Sequence, residues 1–162
     1  MNKLIDSFLS IDFDDDSFMD AYNVITISYF DHYLNEEEYC KAELVCYSDV
    51  KSNVEKEKLF NNIENKFIKL YESLYYLSDK QELVCINGNL YPLNFDEYKL
   101  AVRNAMKEKP LCQILYPSLL MFSVAGYDLT HQFFFLKDND ELVSLQKTIK
   151  NLVDSVGLNI IQ

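Results

Sequence analysis

From Asn53 to Ser78 the residues Val54, Leu59, Phe60, Ile63, Phe67, Leu70, Tyr71, Leu74 and Leu77 recur at steps of three and four, the spacing that gathers apolar side chains onto one face of an α-helix. Such a helix is about 39 Å long, enough to cross a small domain. With one face wet and the other apolar, it has to lie along a layer that covers it. Ser52, with Glu55 three residues on, reads as a capping box at its start.

The segments after it supply that layer. Glu82–Ile86 and Leu90–Leu93 flank Asn87-Gly88, the pair best suited to the positive φ angles of a tight hairpin turn. Pro92 has no amide donor, so the second strand belongs at a sheet edge. Asn94 is placed to cap a helix running to about Glu108, with Pro110 beyond its end. Leu111–Tyr116, Leu119–Ala125 and His131–Lys137 read as three central strands. In the last of them the unbroken Phe133-Phe134-Phe135-Leu136 calls for cover on both faces. A final helix over Asp140–Val156 ends at Gly157, a normal left-handed cap, and Leu158–Ile161 can return to the sheet. Asp138, Asp140 and Glu141 read as caps of that helix.

The first fifty residues are less patterned. Asp16 or Ser17 can cap a short helix, and Val24–Tyr33 and Glu38–Tyr47 alternate in part, with Cys40, Ala42, Leu44 and Cys46 on one side. The reading is a strand pair joined near Asn35-Glu36-Glu37, with a helix over Ala21–Leu34 as the alternative. No repeat or composition break divides the chain. The expected fold is α+β, one domain over residues 1–162, with a central, mostly antiparallel sheet packed by about three helices.

Charge is the most informative part of the composition. The sequence has a single arginine, Arg103, three glycines and no tryptophan, but many Asn, Lys, Ile, Tyr and Phe residues, as an AT-rich coding sequence would give. That bias accounts for the aromatics and not for the acidity, because it favours Lys as much as Asp and Glu. The net charge of −11 repels phosphate backbones, which argues against nucleic acid as a partner. The same charge steers association with basic proteins. No apolar run reaches the ~18–20 residues of a membrane span, and the N-terminus lacks the apolar core of a secretory signal. A cytoplasmic location is therefore expected. Cys40, Cys46, Cys85 and Cys112 lie in or beside apolar segments with no C-x-x-C pair, the pattern of reduced, buried thiols.

Linear motifs for catalysis and metal binding fail one by one. Asp12, Asp14 and Asp16 alternate like the first ligands of a calcium loop, but Ser17 stands where the turn needs Gly and Asn23 where a closing Glu belongs. Asp31-His32 and Thr130-His131 are the only pairs from which a base could activate a Ser or Cys, and both sit among aromatics. No phosphate-binding glycine loop or nucleophile elbow occurs. No catalytic residue, metal ligand or cofactor is assigned.

What remains is acidic clustering beside aromatics, which suits an interface core with a charged rim. The residues assigned to partner binding are Asp14, Asp15, Asp16, Asp20, Tyr33, Glu36, Glu37 and Glu38. The expected function is that of a bacterial immunity protein, a monomer or homodimer that neutralises a cognate toxin domain of the basic, nuclease type. Nuclease toxins need cationic surfaces, and an acidic inhibitor can occupy them. An acidic chaperone of a type III-like secretion system has the same bulk properties, and a small hydrolase using one of the cysteines is the contrasting class.

Overall fold

The structure is a computed structural model, and it describes residues 3–126 and 128–161. In chain order the elements are α1 (Lys3–Leu9), a 3-10 turn (Asp16–Ala21), β1 (Tyr22–Ser28), α2 (Glu36–Lys41), a short 3-10 turn (Tyr47–Asp49) and α3 (Val54–Leu77). There follow β2 (Leu83–Ile86), β3 (Asn89–Pro92), α4 (Phe95–Met106), β4 (Gln113–Tyr116), β5 (Met121–Val124), β6 (Thr130–Leu136), α5 (Leu142–Val156) and β7 (Asn159–Ile161). The seven strands form one sheet in the order β3-β2-β4-β5-β6-β1-β7. Every neighbouring pair is antiparallel, so the fold is α+β.

Alternation along the strands builds two cores. Val84, Ile114, Tyr116, Met121, Phe133, Phe135 and Ile27 face the long helices α3, α4 and α5, where they meet Phe60, Phe67, Leu74, Val102, Ile149 and Val153. Their neighbours Cys85, Leu115, Phe122, Phe134 and Tyr22 point the other way, onto Leu4 and Phe8 of α1. Phe122 and Phe134 stack there with ring centres 4.5 Å apart. The unbroken Phe133–Leu136 run is thus covered on both faces, as its lack of polar residues requires.

The hairpin turns at Asn87 (φ 51°) and Gly88 (φ 77°), and Pro92 ends the outermost strand β3. Asn94 caps α4 in a full capping box with Glu97, and Gly157 closes α5 at φ 70°. At the start of α3 the cap is Asn53, whose side chain accepts from the Glu55 and Lys56 amides. Ser52 has φ 61°, which is outside the extended region a cap residue needs. Likewise Asn139 accepts from the Glu141 amide at 3.0 Å, while Glu141 makes no side-chain cap bond and Asp138 pairs with Lys3.

The first fifty residues depart most from expectation. β1 ends at Ser28, and Glu38–Tyr47 is not a strand: Asn35 and Glu38 form a capping box that starts α2 instead. Beyond α2, the Asp49 carboxylate accepts from the amides of Val45 (2.9 Å) and Cys46 (3.1 Å). That bond pattern turns the chain, so Leu44 and Val45 are buried without a ladder. Cys40 is exposed, Cys46 is half-buried, and only Cys85 and Cys112 are buried; all four are free thiols. Burial pushes the Cys112 thiol up to about 12.

Candidate partner-binding surface

Residues 1–50 hold twelve Asp and Glu against Lys3 and Lys41, so −10 of the net −11 lies in this third and the rest of the chain is nearly balanced. The fold then concentrates that charge. Phe8 packs on Phe122 (5.2 Å) and Phe18 on Phe134 (6.1 Å), which sets α1 and the Asp16–Ala21 turn against the sheet face opposite α3, α4 and α5. At the far end of β1, the Tyr33 hydroxyl donates to Thr26 Oγ1 at 2.8 Å. Thr26 shares a sheet face with Tyr22 and Val24. Both acidic segments therefore flank the same side of the sheet, joined to opposite ends of a seven-residue strand about 20 Å long.

Each segment carries exposed aromatic surface: Phe13 is 49 % exposed, Tyr33 54 % and Tyr39 49 %. Around Phe13, the residues Asp14, Asp16 and Asp20 are exposed. Asp15 is occupied by structure, since it caps the 3-10 turn through the Ser17 amide (2.9 Å) and hydroxyl (2.8 Å). Those bonds hold its carboxyl below the ordinary range. The Asp12 carboxylate is turned onto the Asp14 amide at 3.0 Å. No group of three or more metal-ligating side chains is placed to hold a cation among the described residues.

In the second segment Glu36 is exposed, Glu37 pairs with Lys41, and Glu38 is half-buried in the capping box of α2. His32 sits between two carboxylates, with Nδ1 2.6 Å from Asp31 and Nε2 3.2 Å from Glu38. Asp31 first, and then Glu38, pushes the His32 pKa upward. The Asp31 carboxyl is lowered chiefly by its hydrogen bond to His32. The Glu38 carboxyl is lowered chiefly by the Asn35 backbone and then by His32. With both ring nitrogens engaged, His32 ties α2 to Asp31 in the segment that follows β1. Beneath it lies a pocket of about 130 Å³ whose lining includes Ser28, Tyr33, Tyr39 and Asp128.

Of the eight residues assigned from the sequence, Asp14, Asp16, Asp20, Glu36 and Glu37 have carboxylates at the surface. Asp15 and Glu38 act as caps, and Tyr33 is both exposed and anchored. Phe13, Asp31, His32 and Tyr39 belong to the same surface and were missing from the assignment. The signal for His32 was present, since Asp31 adjoins it and Asn35-x-x-Glu38 marks the helix start that brings Glu38 back. The other histidine, His131, is fully buried, stacked on Phe67 at 4.1 Å and bonded to Tyr71.

No helix among the described residues is long and apolar enough to cross a membrane. Comparison with protein-family models, with curated proteins and with solved structures gave no match. What characterises the surface is therefore its own chemistry: one face of a seven-stranded sheet flanked by two acidic, aromatic-bearing segments that hold nearly all of the chain's net charge.

Proposed function

We propose that this protein is an inhibitor of the immunity type, which binds a basic toxin domain in the bacterial cytoplasm and covers its cationic surface. The observation that carries the reading is the confinement of −10 of the net charge to the N-terminal third, with Phe13, Tyr33 and Tyr39 exposed among the carboxylates. Exposed aromatic rings bring contact area at low entropic cost, and surrounding carboxylates steer a cationic partner into register. This reading gives the protein a binding role and no catalytic one.

The test begins with capture of the partner from native lysate. Association kinetics are then measured against salt for the unaltered protein and for a variant carrying Asp14→Asn, Asp16→Asn, Asp20→Asn, Glu36→Gln and Glu37→Gln. Asp15 and Glu38 are left in place because they cap. A basic partner, an on-rate about tenfold or more lower in the variant, and loss of that difference near 0.5 M salt support the reading. An acidic partner, or an on-rate indifferent to both changes, removes it.

A further inference from the structure

The outer side of β1 is only half used. β7 pairs with Thr26, Ile27 and Ser28, and no strand among the described residues lies beside Tyr22–Ile25. On the inner side, Tyr29 donates to the Leu129 carbonyl and Lys137 to the Ala21 carbonyl. Bonded pairs alternate along an antiparallel ladder, so Asn23, Ile25 and Ile27 bond to β6, while Tyr22, Val24, Thr26 and Ser28 turn their backbone groups outward. β7 takes up Thr26 and Ser28, and the Tyr22 amide bonds to the Met19 carbonyl. Among the described residues the Val24 amide, the Val24 carbonyl and the Tyr22 carbonyl are left without a strand partner.

The space beside them is a cleft of about 810 Å³ between β1 and α5. Its α5 wall carries Gln146, Lys147 and Lys150. Both lysines are exposed and neither has an ion pair among the described residues. α5 starts near the Tyr22 end of β1 and finishes near Ser28, where β7 begins. Lys147 and Lys150 therefore stand beside the vacant half of the strand, and Asp154 and Asn159 beside the half that β7 already fills. The other lining carboxylate, Asp31, is held by His32. The opposite sheet edge, β3, ends in Pro92, which cannot donate.

We propose that the vacant half of β1 accepts an extended peptide segment as an eighth strand, and that the segment carries acidic side chains on the face it turns toward Lys147 and Lys150. The lane has room for about four residues at ~3.4 Å each. Backbone bonds at Tyr22 and Val24 supply general affinity, and the two lysines choose the sequence, which is how strand addition divides those tasks. The cleft adjoins the acidic surface at Asp31, but the vacant lane and the two lysines lie outside that surface, and the proposal does not depend on the inhibitor reading.

The test titrates the isotopically labelled protein with two capped hexapeptides, Val-Glu-Val-Glu-Val-Glu and Val-Lys-Val-Lys-Val-Lys, and follows amide shifts and hydrogen exchange. Saturable binding of the Glu peptide is expected, with exchange at the Val24 amide slowed about tenfold and the Lys peptide bound about tenfold more weakly. Lys147→Glu with Lys150→Glu, both on the exposed face of α5, should reverse the preference. Val24→Pro should abolish binding, since it removes the outward donor without touching a bond to β6. No saturable binding, equal binding of both peptides, or protection mapped to β3 overturns the proposal, and the lysine variant keeps the test decisive should Val24→Pro not fold.

Discussion

The Tyr71 hydroxyl lies 2.9 Å from Nδ1 of His131, which joins the C-terminal third of α3 to the start of β6 through a polar contact buried in the apolar core. Burial pushes the His131 pKa from 6.5 down to about 3, with the Gly126 backbone opposing the shift. The unfolded chain therefore takes up a proton below about pH 6.5 and the folded chain does not until about pH 3. Stability from this residue is complete above pH 6.5 and falls as the pH drops, by up to about 1.4 kcal/mol per pH unit, reaching a loss on the order of 5 kcal/mol near pH 3. Urea unfolding at a series of pH values should show this slope, and His131→Phe should flatten it. An equal slope in the variant would place the acid sensitivity in other groups.

Tyr98 extends the same network. Its hydroxyl donates to the Tyr71 carbonyl at 2.9 Å and lies 2.9 Å from the Tyr116 hydroxyl. Having one proton, already given to the carbonyl, Tyr98 must accept from Tyr116. Tyr98→Phe therefore leaves the buried Tyr116 hydroxyl without this acceptor and takes from the Tyr71 carbonyl its second bond, the first being the one inside α3, and should cost about 1–3 kcal/mol in chemical unfolding. Tyr116→Phe removes a donor whose acceptor keeps its other bond, and should cost less. The reverse order would show that the donor assignment is wrong.

Phe67 is fully buried on α3 and stacks on His131 at 4.1 Å. Phe67→Ala should cost about 3–5 kcal/mol, because the helix and sheet cannot both move to fill the hole. A loss under about 1 kcal/mol would mean that the core collapses around the missing ring. Since the ring also shields the imidazole, the variant should raise the His131 pKa toward its ordinary value, which a proton NMR titration can follow.

These residues also show where the sequence could be read. α3 and the hairpin are set by local rules, a three-to-four spacing and an Asn-Gly turn, and the structure places both where those rules do. The Phe133–Leu136 run announced a doubly covered strand because nothing polar breaks it. In Cys40, Ala42, Leu44 and Cys46 an equal-looking alternation misled, since of these four only Leu44 is buried. What decides that segment is polar: the Asn35–Glu38 box, and the Asp49 carboxylate four residues from Val45. α1 escaped notice because seven residues with Leu4 and Phe8 as the buried pair carry too little periodicity. The acidic surface was legible as composition, but the joining of its two parts was not. It depends on Tyr33 reaching back to Thr26, a contact without a pattern along the chain.

The clamp at His32 makes the second acidic segment sensitive to pH from both directions. Asp31 and Glu38 have lowered pKa values, so their contribution to holding α2 is present above the ordinary carboxylate range and is lost as the pH falls through their depressed values. His32 has a raised pKa, so its contribution is complete below about 6.5 and is lost as the pH rises through the raised value. The clamp should be firmest between the carboxylate range and the upper end of imidazole titration. All three groups are solvent-exposed, so the effect is local and screened by salt. Measured by NMR, His32 should titrate above 6.5, and amide exchange in Glu36–Lys41 should quicken as it loses its proton. His32→Gln should keep exchange in α2 fast at every pH while leaving α3 protected. If exchange in α2 does not follow the His32 titration, the helix is held by the Asn35 capping box alone, and Tyr39 and Glu36 would stay presented to a partner whatever the pH.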